Sequence, residues 1–122
     1  MRVVAVFDDL LLGSNVLGML RAAGHEAALA APGTARPDGA AVVIVDLGSE
    51  GFDGVALVED LRARGELEGA RTLGVYSHVH QDVRERAEAA GFDLVVPRSR
   101  MAREGPDLVA RLLPGGSGTA AG

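Results

Sequence analysis

The stretch Ala41-Val42-Val43-Ile44-Val45-Asp46 decides how this chain is read. It is apolar from Ala41 to Val45, mostly β-branched, and it stops at a carboxylate. An apolar run without alternation means that both faces of the strand are covered, as in the centre of a parallel sheet. Val3 to Phe7 is a second such run, and it stops at Asp8-Asp9. Weaker strands are expected at Glu26 to Ala31, Thr72 to Tyr76 and Leu94 to Val96. Helix-period segments alternate with them. One runs from Asn15 to Ala23, with Ser14 as its cap and Gly24 as its stop. One opens at Gly54, carries Val55, Val58 and Leu61 on one face, and closes near Gly65. A third runs from Gln81 to Ala90, with Val83, Ala87 and Ala90 inward, and a last one takes Pro106 into its first turn and buries Val109, Leu112 and Leu113.

This alternation predicts a three-layer α/β fold with a five-stranded parallel sheet in order 2-1-3-4-5. Only nine residues, Pro32 to Ala40, join the second and third strands. A parallel crossover normally takes about a dozen or more, so the helix of that link is expected to be reduced to a turn. Val4, Val6, Val43, Ile44, Val45, Leu61, Val75 and Val95 are the expected core.

With 122 residues the chain fits one domain, expected over residues 1–113, followed by a flexible Gly/Ser/Ala tail at 114–122. The net charge is −5, aromatic residues are 3%, and no basic run occurs, which argues against a nucleic-acid surface. All 12 basic residues are arginine, so Schiff-base and P-loop lysine chemistry are excluded. The absence of cysteine excludes disulfides, thiolate metal sites and a cysteine nucleophile. No apolar run approaches the ~20 residues of a membrane span, and no signal-peptide pattern precedes the first strand. A cytoplasmic protein, monomeric or weakly dimeric, with no membrane partner is expected.

Open parallel sheets place ligand sites at the carboxyl ends of their strands. There the sequence puts Asp8-Asp9, Asp46, Ser77 and Pro97-Arg98. Carboxylates gathered on adjacent strand ends raise one another's pKa unless a cation is present. A hard divalent ion such as Mg²⁺ suits one or two carboxylates plus phosphate.

These residues resemble the receiver domains of two-component response regulators, of the CheY-like type, over Arg2 to about Leu113. The acidic doublet matches Asp8-Asp9, the phosphoacceptor matches Asp46, a following Asp-Gly pair matches Asp53-Gly54, and the strand-four hydroxyl matches Ser77. The resemblance implies that Asp46 takes a phosphoryl group and that Asp8, Asp9, Asp46 and the carbonyl near Gly48 hold Mg²⁺. It implies further that Ser77 bonds a phosphoryl oxygen, and that a histidine kinase or a downstream effector is the protein partner. The chain would then be a stand-alone signalling receiver in a phosphorelay, a phosphoprotein and not an enzyme.

Departures from the family pattern are also visible. The family's strand-five lysine is absent; counting from Gly91 without a gap puts Arg98 there, and with one gap the cation is lost. Val95 stands where a switch aromatic is expected, and Glu50 where a loop proline is common. A pseudo-receiver, acting as an interaction module without phosphorylation, is therefore the alternative. A small flavodoxin-like enzyme or cofactor-binding domain using the acidic crevice is a further one. His78 and His80, beside Asp82, offer imidazoles without enough companions for a metal site, and Arg98, Ser99, Arg100 and Arg103 read as a solvated turn.

Overall fold

Apolar continuity in Val42–Asp46 has the consequence expected of it: this strand, β3, is paired on both sides. The structure is a computed structural model, and it describes residues 2–34, 37, 39–77 and 81–113. Along the chain lie β1 (Arg2–Val6), α1 (Leu10–Ala22), β2 (Glu26–Ala30), β3 (Val42–Asp46), α2 (Gly54–Ala63), β4 (Arg71–Tyr76), α3 (Gln81–Ala89), β5 (Leu94–Pro97) and α4 (Arg98–Leu112). The strands form one five-stranded sheet in the order β2-β1-β3-β4-β5, with every pairing parallel. The described part of the β2–β3 link holds a short 3₁₀ turn, Pro32–Thr34, in keeping with a reduced crossover.

Successive strand residues point to opposite faces, so the sheet builds two cores. Val3, Ala5, Val42, Ile44, Leu73 and Val75 pack under α1 and α4, together with Val16, Leu20, Met101 and Leu108. Val4, Val6, Val43 and Val45 pack under α2 and α3, against Val55, Val58, Leu61 and Ala87. The expected core is buried at Val4, Val6, Val43, Ile44, Val45, Leu61 and Val75. Val95 is only half-buried, because β5 is an edge strand with a neighbour on one side alone.

Two helix boundaries differ from expectation. The first helix starts at Leu10, not after Ser14, because Asp9 caps it. Asp9 Oδ1 accepts from the N–H groups of Leu11 and Leu12 at 3.0 and 3.1 Å, satisfying two of the otherwise orphaned donors. The exposed Leu10 and Leu11 of that first turn hide it from a search for amphipathic periodicity. The last helix starts at Arg98, so Pro106 lies in its interior and not in its first turn. The carbonyl of Pro106 is bonded by His25 Nε2 at 3.1 Å, which ties the α1–β2 turn to α4. Among the described residues no helix is long and apolar enough to cross a membrane. Residues 114–122, expected to be a tail, lie outside the described residues.

Candidate functional site at the carboxyl ends of the strands

Parallel pairing brings the ends of β1, β3, β4 and β5 to one edge of the sheet. Asp46 closes β3 and is fully buried, at 0% exposure. A buried carboxylate is costly unless it is paired and hydrogen-bonded. Two donors reach its Oδ1: the Gly48 N–H at 2.9 Å and Arg98 Nη2 at 3.4 Å. The second contact is also an ion pair, and the Arg98 side chain is 41% exposed while that of Asp46 is 1%. Asp46 Oδ2 and Arg98 Nε are both buried with no hydrogen-bond partner among the described residues.

Local sequence explains this geometry. β5 ends at Pro97, whose extended conformation caps α4, and Arg98 is the first residue of that helix. Arg98 thereby stands as a cation beside Asp46. Gly48 makes room for it. A Cβ on Gly48 would lie 3.0 Å from Arg98 Nη2 and 3.4 Å from the Ser77 nitrogen. The loop after Asp46 can thus sit close to both Arg98 and the end of β4. Ser77 is half-buried and enters this edge directly after β4.

The acidic doublet divides. Asp8 is exposed and receives the Ser49 hydroxyl, which lies 2.7 Å from each of its oxygens. Ser49 Oγ in turn accepts the Gly51 N–H at 2.9 Å. Sequence reasoning misses Ser49, because the resemblance singles out only Gly48 and Glu50 in this loop. The available signal was a hydroxyl in the short loop that faces the end of the neighbouring strand. Asp9 turns the other way and caps α1. The expected convergence of Asp8, Asp9 and Asp46 is therefore not the arrangement found. Among the described residues no three acidic or histidine side chains are grouped to hold one ion. The physical reason is that α1 starts immediately after the doublet, and its free N–H groups hold Asp9.

Asp53 also has a structural role. It caps α2 by accepting the Ala56 N–H at 3.0 Å, and Arg86 of α3 reaches its other oxygen at 3.0 Å. The Ala56 hydrogen bond holds its carboxyl below the usual range; partial burial opposes this, and Arg86 adds to it. Gly54 follows because a Cβ there would meet the Asp46 carbonyl oxygen, Leu47 and Val45, each at 2.8 Å. His78 and His80 lie outside the described residues. Arg100 and Arg103 are in α4, not in a turn, and both pair with Glu104.

The donors around Asp46 can be tested against a divalent cation. Mg²⁺ usually takes one or two carboxylates and keeps several waters. Asp46 Oδ2, buried and without a partner among the described residues, and the Asp8 carboxylate are oxygen donors of that type; no three-carboxylate cage is found among the described residues.

No family model matches the sequence, and no curated protein matches it. Solved structures do resemble the fold. The chemotaxis protein CheY4 of Vibrio cholerae is 20% identical with a TM-score of 0.77, covering 92% of this chain and 98% of that one. The receiver domain of NtrX from Brucella abortus is 19% identical with a TM-score of 0.79, covering 91% and 97%. A Burkholderia pseudomallei response regulator, solved with a phosphorylated aspartic acid, a calcium ion and citrate, is 17% identical with a TM-score of 0.73, covering 98% and 71%. At this identity the likeness concerns the fold: the chain has the architecture of response-regulator receiver domains.

Proposed function

We propose that the chain is a receiver-type signalling domain that accepts a phosphoryl group at Asp46. One observation carries this reading. Asp46 ends the central strand with Oδ1 held by Gly48 and Arg98, while Oδ2 has no partner among the described residues. One oxygen is positioned and the other is uncommitted, as a nucleophile requires. In the transfer, an Asp46 oxygen forms the new P–O bond and the donor's P–N or P–O bond breaks. The leaving imidazole or acetate keeps the bonding electrons. Arg98 is the resident cation beside the incoming charge, and phosphoryl transfer depends mainly on positioning and charge neutralisation. Mg²⁺ would be held by Asp8, Asp46 and the Gly48 carbonyl, and when bound it supplies further neutralisation. Ser77, at the end of β4, is the hydroxyl at the same edge.

A second reading has its own observation. The Asp46–Arg98 ion pair already neutralises a fully buried carboxylate, so the site is closed without any phosphoryl group. On this reading the chain is a pseudo-receiver that presents a fixed surface to a protein partner. Acetyl phosphate with Mg²⁺ separates the two. Acceptance adds one phosphoryl mass by intact mass spectrometry, and Asp46→Ala abolishes it. Beryllofluoride then shifts amides near the ends of β1, β3 and β4, with little spread to β5, since Val95 brings no polar switch group. An unchanged mass together with no Mg²⁺ binding establishes the pseudo-receiver.

A further inference from the structure

Arg98 borders a second space. Between α1 and α4 lies a cavity of about 220 Å³ whose wall includes Arg98. Val16, Val75 and Met101, all buried, form its apolar floor. Asn15 and Ala102, both exposed, stand at its rim. Val75 is the register partner of Asp46, and Asp46 continues the row of Val42 and Ile44 that faces α1 and α4. Arg98 therefore borders both the cavity and the carboxylate.

The lining has the make-up of a small-molecule site: apolar walls with a very few polar groups that fix orientation. A dry apolar cavity of ~150 Å³ accommodates benzene, so this one has room for a ring or a branched aliphatic group with one small substituent. The substituent's chemistry follows from Arg98. A guanidinium is permanently charged and matches a carboxylate with parallel N–H···O bonds. Its contact to Asp46 is long, at 3.4 Å through Nη2, and 41% of its side chain stays exposed. A neutral ligand would leave that charge with its one long ion pair, and phosphate alone would leave the apolar floor unfilled.

We propose that this cavity binds a small aromatic or branched aliphatic monocarboxylate. Its hydrocarbon part rests on Val16, Val75 and Met101, and its carboxylate lies on Arg98. Asp46 and the ligand then draw on the same guanidinium, so occupancy of the cavity weakens the pairing of Asp46. The binding itself does not rest on phosphoryl acceptance.

Benzoate is the probe, with benzyl alcohol as the uncharged ring of similar size, both titrated into amide-resolved NMR samples of the full chain. Benzoate gives saturable shifts along α1 and α4, and benzyl alcohol binds about ten-fold more weakly, the loss of one charge-assisted contact. Ala102→Phe, a change at an exposed helix position, fills the mouth and removes both responses. Asp46→Asn frees Arg98 and tightens benzoate several-fold while leaving benzyl alcohol unchanged. Equal affinity for the two probes, shifts that survive Ala102→Phe, or shifts that never saturate overturn the proposal. No arm uses a phosphoryl donor, so failure of Asp46 to accept phosphate leaves these outcomes intact.

Discussion

Arg98 Nη2 lies 3.4 Å from Asp46 Oδ1, and it is the cation that the described structure places against that buried carboxylate. The two residues are far apart in sequence and meet because β5 runs beside β4, which runs beside β3. The cation in this pair is a planar fork that reaches the carboxylate from the first residue of a helix. Its stability consequence is direct. Arg98→Met leaves Asp46 with the Gly48 N–H as its one donor among the described residues and destabilises the fold by about 1–3 kcal/mol, the penalty for an under-satisfied buried polar group. Asp46→Asn in the Arg98→Met background recovers part of that loss, because no buried charge remains. Urea unfolding of the four proteins of this cycle measures the coupling.

Asp9 belongs to a helix end. Asp9→Ala removes the acceptor for Leu11 and Leu12 and costs about 0.5–2 kcal/mol. Asp9→Asn keeps a good cap and is nearly neutral. Asp8→Ala touches only an exposed hydroxyl contact and stays within about 0.5 kcal/mol. Equal losses for Asp8→Ala and Asp9→Ala in chemical denaturation contradict this division.

Asp53 gives the fold an acid-sensitive element. Its carboxyl sits below the usual range, chiefly through the Ala56 N–H, with Arg86 helping. A depressed carboxylate pKa contributes stability that is whole above the unfolded value of about 3.9 and is lost as pH falls through the folded value. Asp53→Asn keeps an acceptor at the cap but cannot titrate. Its unfolding midpoint therefore falls less than wild type between about pH 6 and about pH 3. A parallel decline of the two proteins removes Asp53 from the acid response.

Gly54 is required by close approach and not by a special dihedral. Gly54→Ala puts a methyl 2.8 Å from a backbone oxygen that cannot rotate away, so a loss of about 1–3 kcal/mol is expected. Because that oxygen belongs to Asp46, amide shifts at Leu47 and Gly48 should accompany the loss. A silent substitution there shows that α2 can move outward freely.

Ile44 tests the centre of the sheet. It is fully buried on β3, and Ile44→Ala is expected to cost about 2–5 kcal/mol by thermal or urea unfolding. A change within experimental error places Ile44 outside the core.

Particular residues show what was legible in the amino-acid sequence by itself. Val42 to Val45, apolar without alternation, announced a strand covered on both faces, and the nine-residue link Pro32 to Ala40 announced a shortened crossover. Both are local statements about period and chain length, and local properties survive into the fold. Right-handed parallel connection then restricted the strand order. The positions of Asp46, Ser77 and Arg98 at strand ends were legible for the same reason.

Tertiary structure alone decided what those side chains touch. Asp8 and Asp9 are adjacent and chemically identical, yet one meets Ser49 and the other α1, because a strand end and a helix start pull them apart. Whether Arg98 faced Asp46 or solvent depended on a single residue of register at Pro97, where β5 passes into α4. Pro106 looked like a helix start, since its fixed φ suits a first turn as well as an interior whose missing N–H can be tolerated. Pattern in a sequence reports the period of an element. Contacts between elements depend on where several periods end at once, and that is settled only when the sheet and its helices pack.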